Sequence, residues 1–181
     1  MRKYYFINKF DTNIIDKQKI DTGIIYRNYN SQNDLNTIIK LKQYCKKKGY
    51  KFFLSNNARL AINLNLDGMY IPSFNKNINH LSFSRKKKFL IIGSAHNNYE
   101  ILVKKKQGCN IIFLSPIFKI NKTNIYLDTV RFNLLTINKK AKFIALGGIN
   151  SKNIKKLRLL NIFGFAGITF FQKKTAPNRG R

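Results

Sequence analysis

The residues of this chain best suited to chemistry are those that bind anions. In Leu146-Gly147-Gly148-Ile149-Asn150-Ser151, two glycines let backbone N–H groups approach an anion, and a helix starting at Asn150-Ser151 adds the positive end of its dipole. An ordinary turn is the competing reading of a Gly-Gly pair. Other polar residues directly follow apolar runs: Arg27 and Asn28, Ser55, Asn56 and Asn57, Ser73, Ser94 and His96, Ser115, and Gln172. A guanidinium holds two phosphate oxygens at once, whereas hydroxyls and amides add single bonds. This set is rich in phosphate binders and poor in acids. His96 carries an imidazole within reach of the barrel mouth that could move protons, although a histidine hydrogen-bonded at a strand end is the simpler reading. His80, in a loop rich in Asn and Lys, reads as a surface residue.

Such residues need strands that end together. β-branched and aromatic runs predict eight strands, at 4–7, 23–27, 51–55, 68–71, 89–93, 110–115, 142–146 and 165–170. Helical spacing follows several of them: Leu35, Ile38, Ile39, Leu41 and Tyr44, then Ile101, Leu102 and Lys105, then Ile154, Leu157 and Leu160. Asp34, Asn97 and Asn150-Ser151 are candidate N-caps, and Gly49 and Gly108 candidate helix ends. Strand-helix alternation with eight strands predicts an α/β fold, a compact (β/α)8 TIM barrel, over an open doubly wound sheet, which normally has five or six strands. The 11–19 segment has room only for a short first helix, and the chain after Phe171 is too short and too broken by Pro and Gly for a full last one. Residues 1–172 therefore read as one barrel domain and 173–181 as a basic, flexible tail. In a barrel, ligands gather at the C-terminal ends of the strands, where the polar residues above fall.

Composition sets the remaining bounds. The chain has 181 residues, of which 44% are hydrophobic, enough for the core of one domain. Lys and Arg number 35 against 7 Asp and Glu, a formal charge of +28, and Glu100 is the only glutamate. The field attracts polyanions and phosphorylated ligands, with nucleic acid bound only non-specifically through charge. No apolar run approaches the roughly 20 residues of a membrane helix, and the N-terminus has no signal-peptide pattern, so a cytoplasmic protein is expected. Cys45 and Cys109 form no CxxC or Cys/His cluster, which speaks against a disulfide framework or structural zinc.

Five segments in order resemble the thiamine-phosphate synthase and thiazole tautomerase superfamily. They are Asp67-Gly68-Met69-Tyr70-Ile71 (like D-G-V-H-L), Ile92-Gly93-Ser94-Ala95-His96 (like I-G-x-S-x-H), Leu114-Ser115-Pro116-Ile117-Phe118 (like G-P-I-F), Leu146-Gly147-Gly148-Ile149 (like G-G-I) and the closing Gly167-Ile168. The resemblance implies a (β/α)8 barrel and, from the synthase branch, a transferase joining a pyrimidine methyl diphosphate to a thiazole phosphate with release of pyrophosphate. It implies that Arg27 and Ser94 bind the diphosphate, and that Gly147, Gly148 and the backbone near Phe171 and Gln172 face the thiazole phosphate. Tyr70 stands where the family has His, and either packs or stacks on the pyrimidine.

The departures matter equally. Asn56 and Asn75 stand where the synthase has two aspartates that hold Mg²⁺, so a weakened Mg²⁺ site is expected, because hard cations depend on carboxylates. Tyr29 stands where a lysine is expected, with Lys122 a candidate to supply the lost charge. Pro116 occupies the place of the tautomerase branch's His and argues against that activity. Two alternatives remain beside the synthase: a family member that binds thiazole phosphate or thiamine phosphate in salvage or regulation, and, more remotely, a basic nucleic-acid binder. A barrel lacking its last helix exposes apolar surface, which makes homo-oligomerisation an expectation.

Overall fold

The computed structural model describes residues 1–29, 34–121 and 123–167. Eight strands alternate with helical segments: β1 (Arg2–Ile7), β2 (Thr22–Tyr26), β3 (Lys51–Ser55), β4 (Gly68–Ile71), β5 (Leu90–Ala95), β6 (Ile111–Leu114), β7 (Lys142–Leu146) and β8 (Gly164–Gly167). They pair in chain order, all parallel. Arg2 lies opposite Gly164 and Tyr5 opposite Gly167, so β8 returns to β1 and the sheet closes into a barrel. The expected (β/α)8 architecture is the observed one. The far end of the last predicted strand, the place of a closing helix and the 173–181 tail lie outside the described residues.

Side chains alternate along each strand between the inside of the barrel and its outer wall. Tyr4, Phe6, Ile25, Phe53, Tyr70, Ile92, Phe113 and Ile144 fill the inside. Their neighbours Tyr5, Ile24, Phe52, Met69, Ile91 and Ile112 pack outward beneath the helices. The interior is chiefly aromatic. Ring centroids lie 5.1 Å apart for Tyr4 and Phe113, 5.2 Å for Phe6 and Tyr70, and 5.8 Å for Tyr70 and Phe113, mostly tilted or edge-to-face. Gly23 leaves the room these rings need, since a Cβ there would sit 2.7 Å from Tyr4 Cδ1 and 3.1 Å from Phe53.

The helices are α1 (Thr12–Asp16), α2 (Leu35–Lys48), α3 (Ala58–Asn63), α4 (Asn98–Lys106) and α5 (Asp128–Thr136), with two 3-10 helices at Asn79–Ser82 and Ile154–Leu159. The first helix is short, as expected. In α2, Asp34 caps the Thr37 amide, Ile38, Leu41 and Cys45 form the buried face, and Gly49 ends the helix in the left-handed region at φ 78°. Lys46, Lys47 and Lys48 sit against the negative end of the dipole. Asp16 at the end of α1 takes a 2.6 Å bond from the Tyr44 hydroxyl and a 3.2 Å bond from Lys48, which docks α2 onto α1.

One predicted helix changes form. Within the predicted 154–160 helix, Ile154–Leu159 winds as a 3-10 helix, and Asn153 before it makes no side-chain cap. Its side chain is spent on the preceding turn instead, accepting from the Asn150 amide at 2.8 Å and donating to the Gly148 carbonyl at 2.7 Å. The aromatic filling yields a test. Gly23→Ala should cost about 2 kcal/mol through overpacking against Tyr4 and Phe53, read as a lower urea midpoint at unchanged slope.

Candidate active site at the C-terminal mouth of the barrel

Alternation along β2 carries Arg27 into the mouth, two positions beyond the inward-facing Ile25. Its amide donates to the Ile7 carbonyl at 2.8 Å, and its guanidinium carbon lies 4.7 Å from the centroid of Phe6 and 5.9 Å from that of Tyr29. The aromatic column of the interior thus becomes the floor on which the guanidinium rests. Tyr70 on β4 and Ser94 on β5 are both buried. Burial pushes the Tyr70 phenol up to about 12, a rise that the nearby Ser94 hydroxyl and Arg27 guanidinium partly offset. Arg27, Tyr70 and Ser94, expected from three separate segments, therefore form one cluster. Beside it, Ser55 at the end of β3 buries a hydroxyl oxygen that has no hydrogen-bond partner.

Asn56 and Asn75 also meet. Asn56 takes the left-handed backbone at φ 60°, which Asn tolerates better than most residues, directly after β3. The Asn75 amide donates to Asn56 Oδ1 at 2.5 Å. A cleft of about 240 Å³ beside them is lined by Asn57, Arg59, Asn77 and His80 and by no carboxylate. Two carboxamides bonded to each other beside an arginine do not fit a divalent cation that relies on carboxylates. Among the described residues, no three His, Cys, Asp or Glu side chains converge.

Across the mouth, Gly147 and Gly148 follow β7 at φ 91° and 71°. A Cβ on Gly148 would collide with the Phe118 carbonyl oxygen, so the turn packs directly against the loop after β6. The Phe118 amide donates to the Gly147 carbonyl at 3.2 Å, whereas the Gly148 and Ile149 amides donate to no described residue. A second cleft, about 210 Å³, opens beside Arg27 between Asn8, Lys9, Asp11 and Ile14. At the rim, the exposed rings of Tyr29 and Phe74 meet edge-to-face at 5.7 Å. Lys122, Phe171 and Gln172 lie outside the described residues.

The two histidines divide. His96 is half-exposed at the end of β5, and its ring and backbone amide both meet Glu100 Oε2, at 2.9 and 2.8 Å. This is the hydrogen-bonded strand-end arrangement. His80, expected at the surface, is buried instead, with Nε2 2.8 Å from the Gln107 carbonyl oxygen, because the Asn79–Ser82 turn folds against the end of α4.

Sequence reasoning missed the two most completely buried polar groups near the mouth, Lys104 and Gln107. The expected helical face runs through Ile101, Leu102 and Lys105, but α4 buries Ile101 and Lys104 and leaves Leu102 half in water. Lys104 Nζ donates to the carbonyls of Pro72 and Asn75, both at 2.7 Å, and to Gln107 Oε1 at 2.8 Å. Burial lowers its ammonium to about 8. The phase of Ile101 and Gly108 was the one available signal, since Lys104 lies on their stripe.

Fold and site together define a (β/α)8-barrel protein with a basic, hydroxyl-rich mouth. The chain belongs to the thiamine monophosphate synthase family, whose profile matches residues 17–171. It is 29% identical to the thiamine-phosphate synthase of Prochlorococcus marinus over 133 residues, 68% of this chain but 36% of that protein. Against the thiamine-phosphate synthase of Flavobacterium johnsoniae it is 28% identical over 163 residues, covering 82% of this chain and 76% of the other. The solved thiamine phosphate pyrophosphorylase of Pyrococcus furiosus superposes with a TM-score of 0.76 at 18% identity, over 93% of this chain and 85% of that one. The pyrophosphorylase of Bacteroides thetaiotaomicron gives 0.63 at 15%, over 99% and 88%. At these identities the two structures speak to fold. No helix among the described residues is long and apolar enough to cross a membrane.

The buried phenol sets a pH test. Tyr70 ionises near 10 when unfolded and near 12 when folded, so between those values the unfolded state holds fewer protons and stability falls as pH rises. Tyr70→Phe should flatten that fall, measured by chemical denaturation across the interval.

Proposed function

We propose that this chain is a thiamine-phosphate-synthase-like transferase, which joins a pyrimidine methyl diphosphate to a thiazole phosphate and releases pyrophosphate. The observation that carries the reading is the convergence of Arg27, Tyr70 and Ser94 at the mouth of a barrel of this family. In the proposed reaction the bond between the pyrimidine methylene carbon and the diphosphate oxygen breaks, and the electron pair leaves with pyrophosphate. The thiazole nitrogen then donates its lone pair to the methylene cation. No proton needs to move.

Arg27 is placed to take the charge that grows on the leaving diphosphate, its planar guanidinium meeting two oxygens at once. The Ser94 hydroxyl adds a neutral donor. Tyr70, a buried neutral phenol, lies beside both. The free amides after Gly147 suit the thiazole phosphate, with the backbone near Phe171 and Gln172 as further contacts and Lys122 as a second cation for the diphosphate. None of these steps calls on a bound metal. A second reading, a family member that binds the phosphorylated thiazole or thiamine phosphate without turnover, is favoured by the Asn56–Asn75 amide pair in place of two carboxylates.

A coupled assay with both substrates separates the readings. The synthase reading expects thiamine phosphate and pyrophosphate in equal amounts from the parent, and a loss in Arg27→Ala of about 100-fold or more in turnover. A silent parent that turns over after Asn56→Asp with Asn75→Asp marks a repurposed synthase. Silence in both, with thiazole phosphate still bound, establishes the binding-protein reading.

A further inference from the structure

We infer that Lys104 and Gln107 hold the 72–77 loop in its binding geometry where a divalent cation would otherwise do so, and that the mouth therefore binds a diphosphate group without Mg²⁺. The inference rests on the anion-binding reading of the mouth. Lys104 and Gln107 are both wholly buried. The three acceptors around Nζ, the Pro72 and Asn75 carbonyls and Gln107 Oε1, require three N–H donors. An ammonium has three, and a neutral amine only two.

Gln107 completes the arrangement. Its side-chain amide nitrogen donates to the Asn75 and Asn77 carbonyls at 3.0 and 2.7 Å, while its backbone carbonyl meets the buried His80 ring. Each polar atom of the two side chains is used, which makes the network stiff. The charged and titratable neighbours do not neutralise it: Cys109 is a buried thiol pushed up to about 12, and Glu100 turns to His96. A positive charge is thus fixed beneath the loop and shared by its carbonyls. From the other side, Asn75 ties the same loop to β3 through Asn56. Cross-linking these two loops and adding positive charge is what an ion between them would contribute, and the chain supplies both from its own residues.

The test is calorimetric titration of the full chain with inorganic pyrophosphate, in EDTA and again with excess Mg²⁺, alongside amide hydrogen exchange over 72–77. The parent should bind equally in the two buffers, within about twofold, and Lys104→Met should bind at least tenfold more weakly and exchange faster in this loop while still melting cooperatively. Asn56→Asp with Asn75→Asp should make binding depend on Mg²⁺. Parent binding that needs Mg²⁺, or Lys104→Met binding as the parent does, overturns the inference and leaves the anion site standing. No binding by the parent in either buffer removes the anion site itself. Should Lys104→Met fail to fold, the parent's response to EDTA alone decides. A lysine with only a structural role would lower the melting temperature and leave loop exchange and pyrophosphate affinity in the folded state unchanged.

Discussion

Close packing inside the barrel is the constraint on which everything else rests. Strands of four to six residues offer little surface each, so the interior of the ring must be filled by large side chains at crystal-like density. Tyr4, Phe6, Phe53, Tyr70 and Phe113 do that with rings in mutual contact. The top of this column is also the bottom of the mouth. Phe6 carries the guanidinium of Arg27, and Tyr70 presents its hydroxyl to Ser94. Core and mouth share residues, so the positions of Arg27 and Ser94 are set by the same contacts that stabilise the fold.

Electrostatics act on two scales. The formal charge of +28 is spread mostly over solvated lysines, where water and salt screen it. Lys104 is different, since its charge is buried among carbonyl and amide oxygens and is screened by neither. The exposed lysines make an attractive field for any phosphorylated ligand, while the buried one shapes a particular loop. Arg27 stands between these cases, half-buried over an aromatic ring and open to the mouth.

The parts legible in the sequence are those fixed by local chemistry. Runs such as Phe52-Phe53-Leu54 and Ile111-Ile112-Phe113 can satisfy their burial only as strands, and Asp34, Asn97 and Gly49 mark helix ends by their own hydrogen bonds or backbone freedom. Arg27, Ser94 and Tyr70 came through a resemblance whose order survived, although nothing local showed that they touch. Lys104 was hidden within Lys104-Lys105-Lys106, because residue type does not tell which lysine of a run turns inward. The same holds for His80, whose burial depends on where α4 ends. At the expected helix start, Asn150 does accept from the Lys152 and Asn153 amides, but the segment that follows winds as a 3-10 helix, which residue type at the cap does not foretell.

The pairing of β1 with β8 joins the first and the last of the eight strands. During synthesis β1 leaves the ribosome before β8, and its second partner emerges only after the six intervening strands have been made. Until then each growing sheet carries two open edges and a column of aromatic rings without its last wall. Ring closure is thus a late event with a large entropic cost of joining distant segments. Before closure, strands with open edges and unpaired aromatic rings sit in a chain of strongly positive charge, so apolar attraction and cationic repulsion act on the same intermediate.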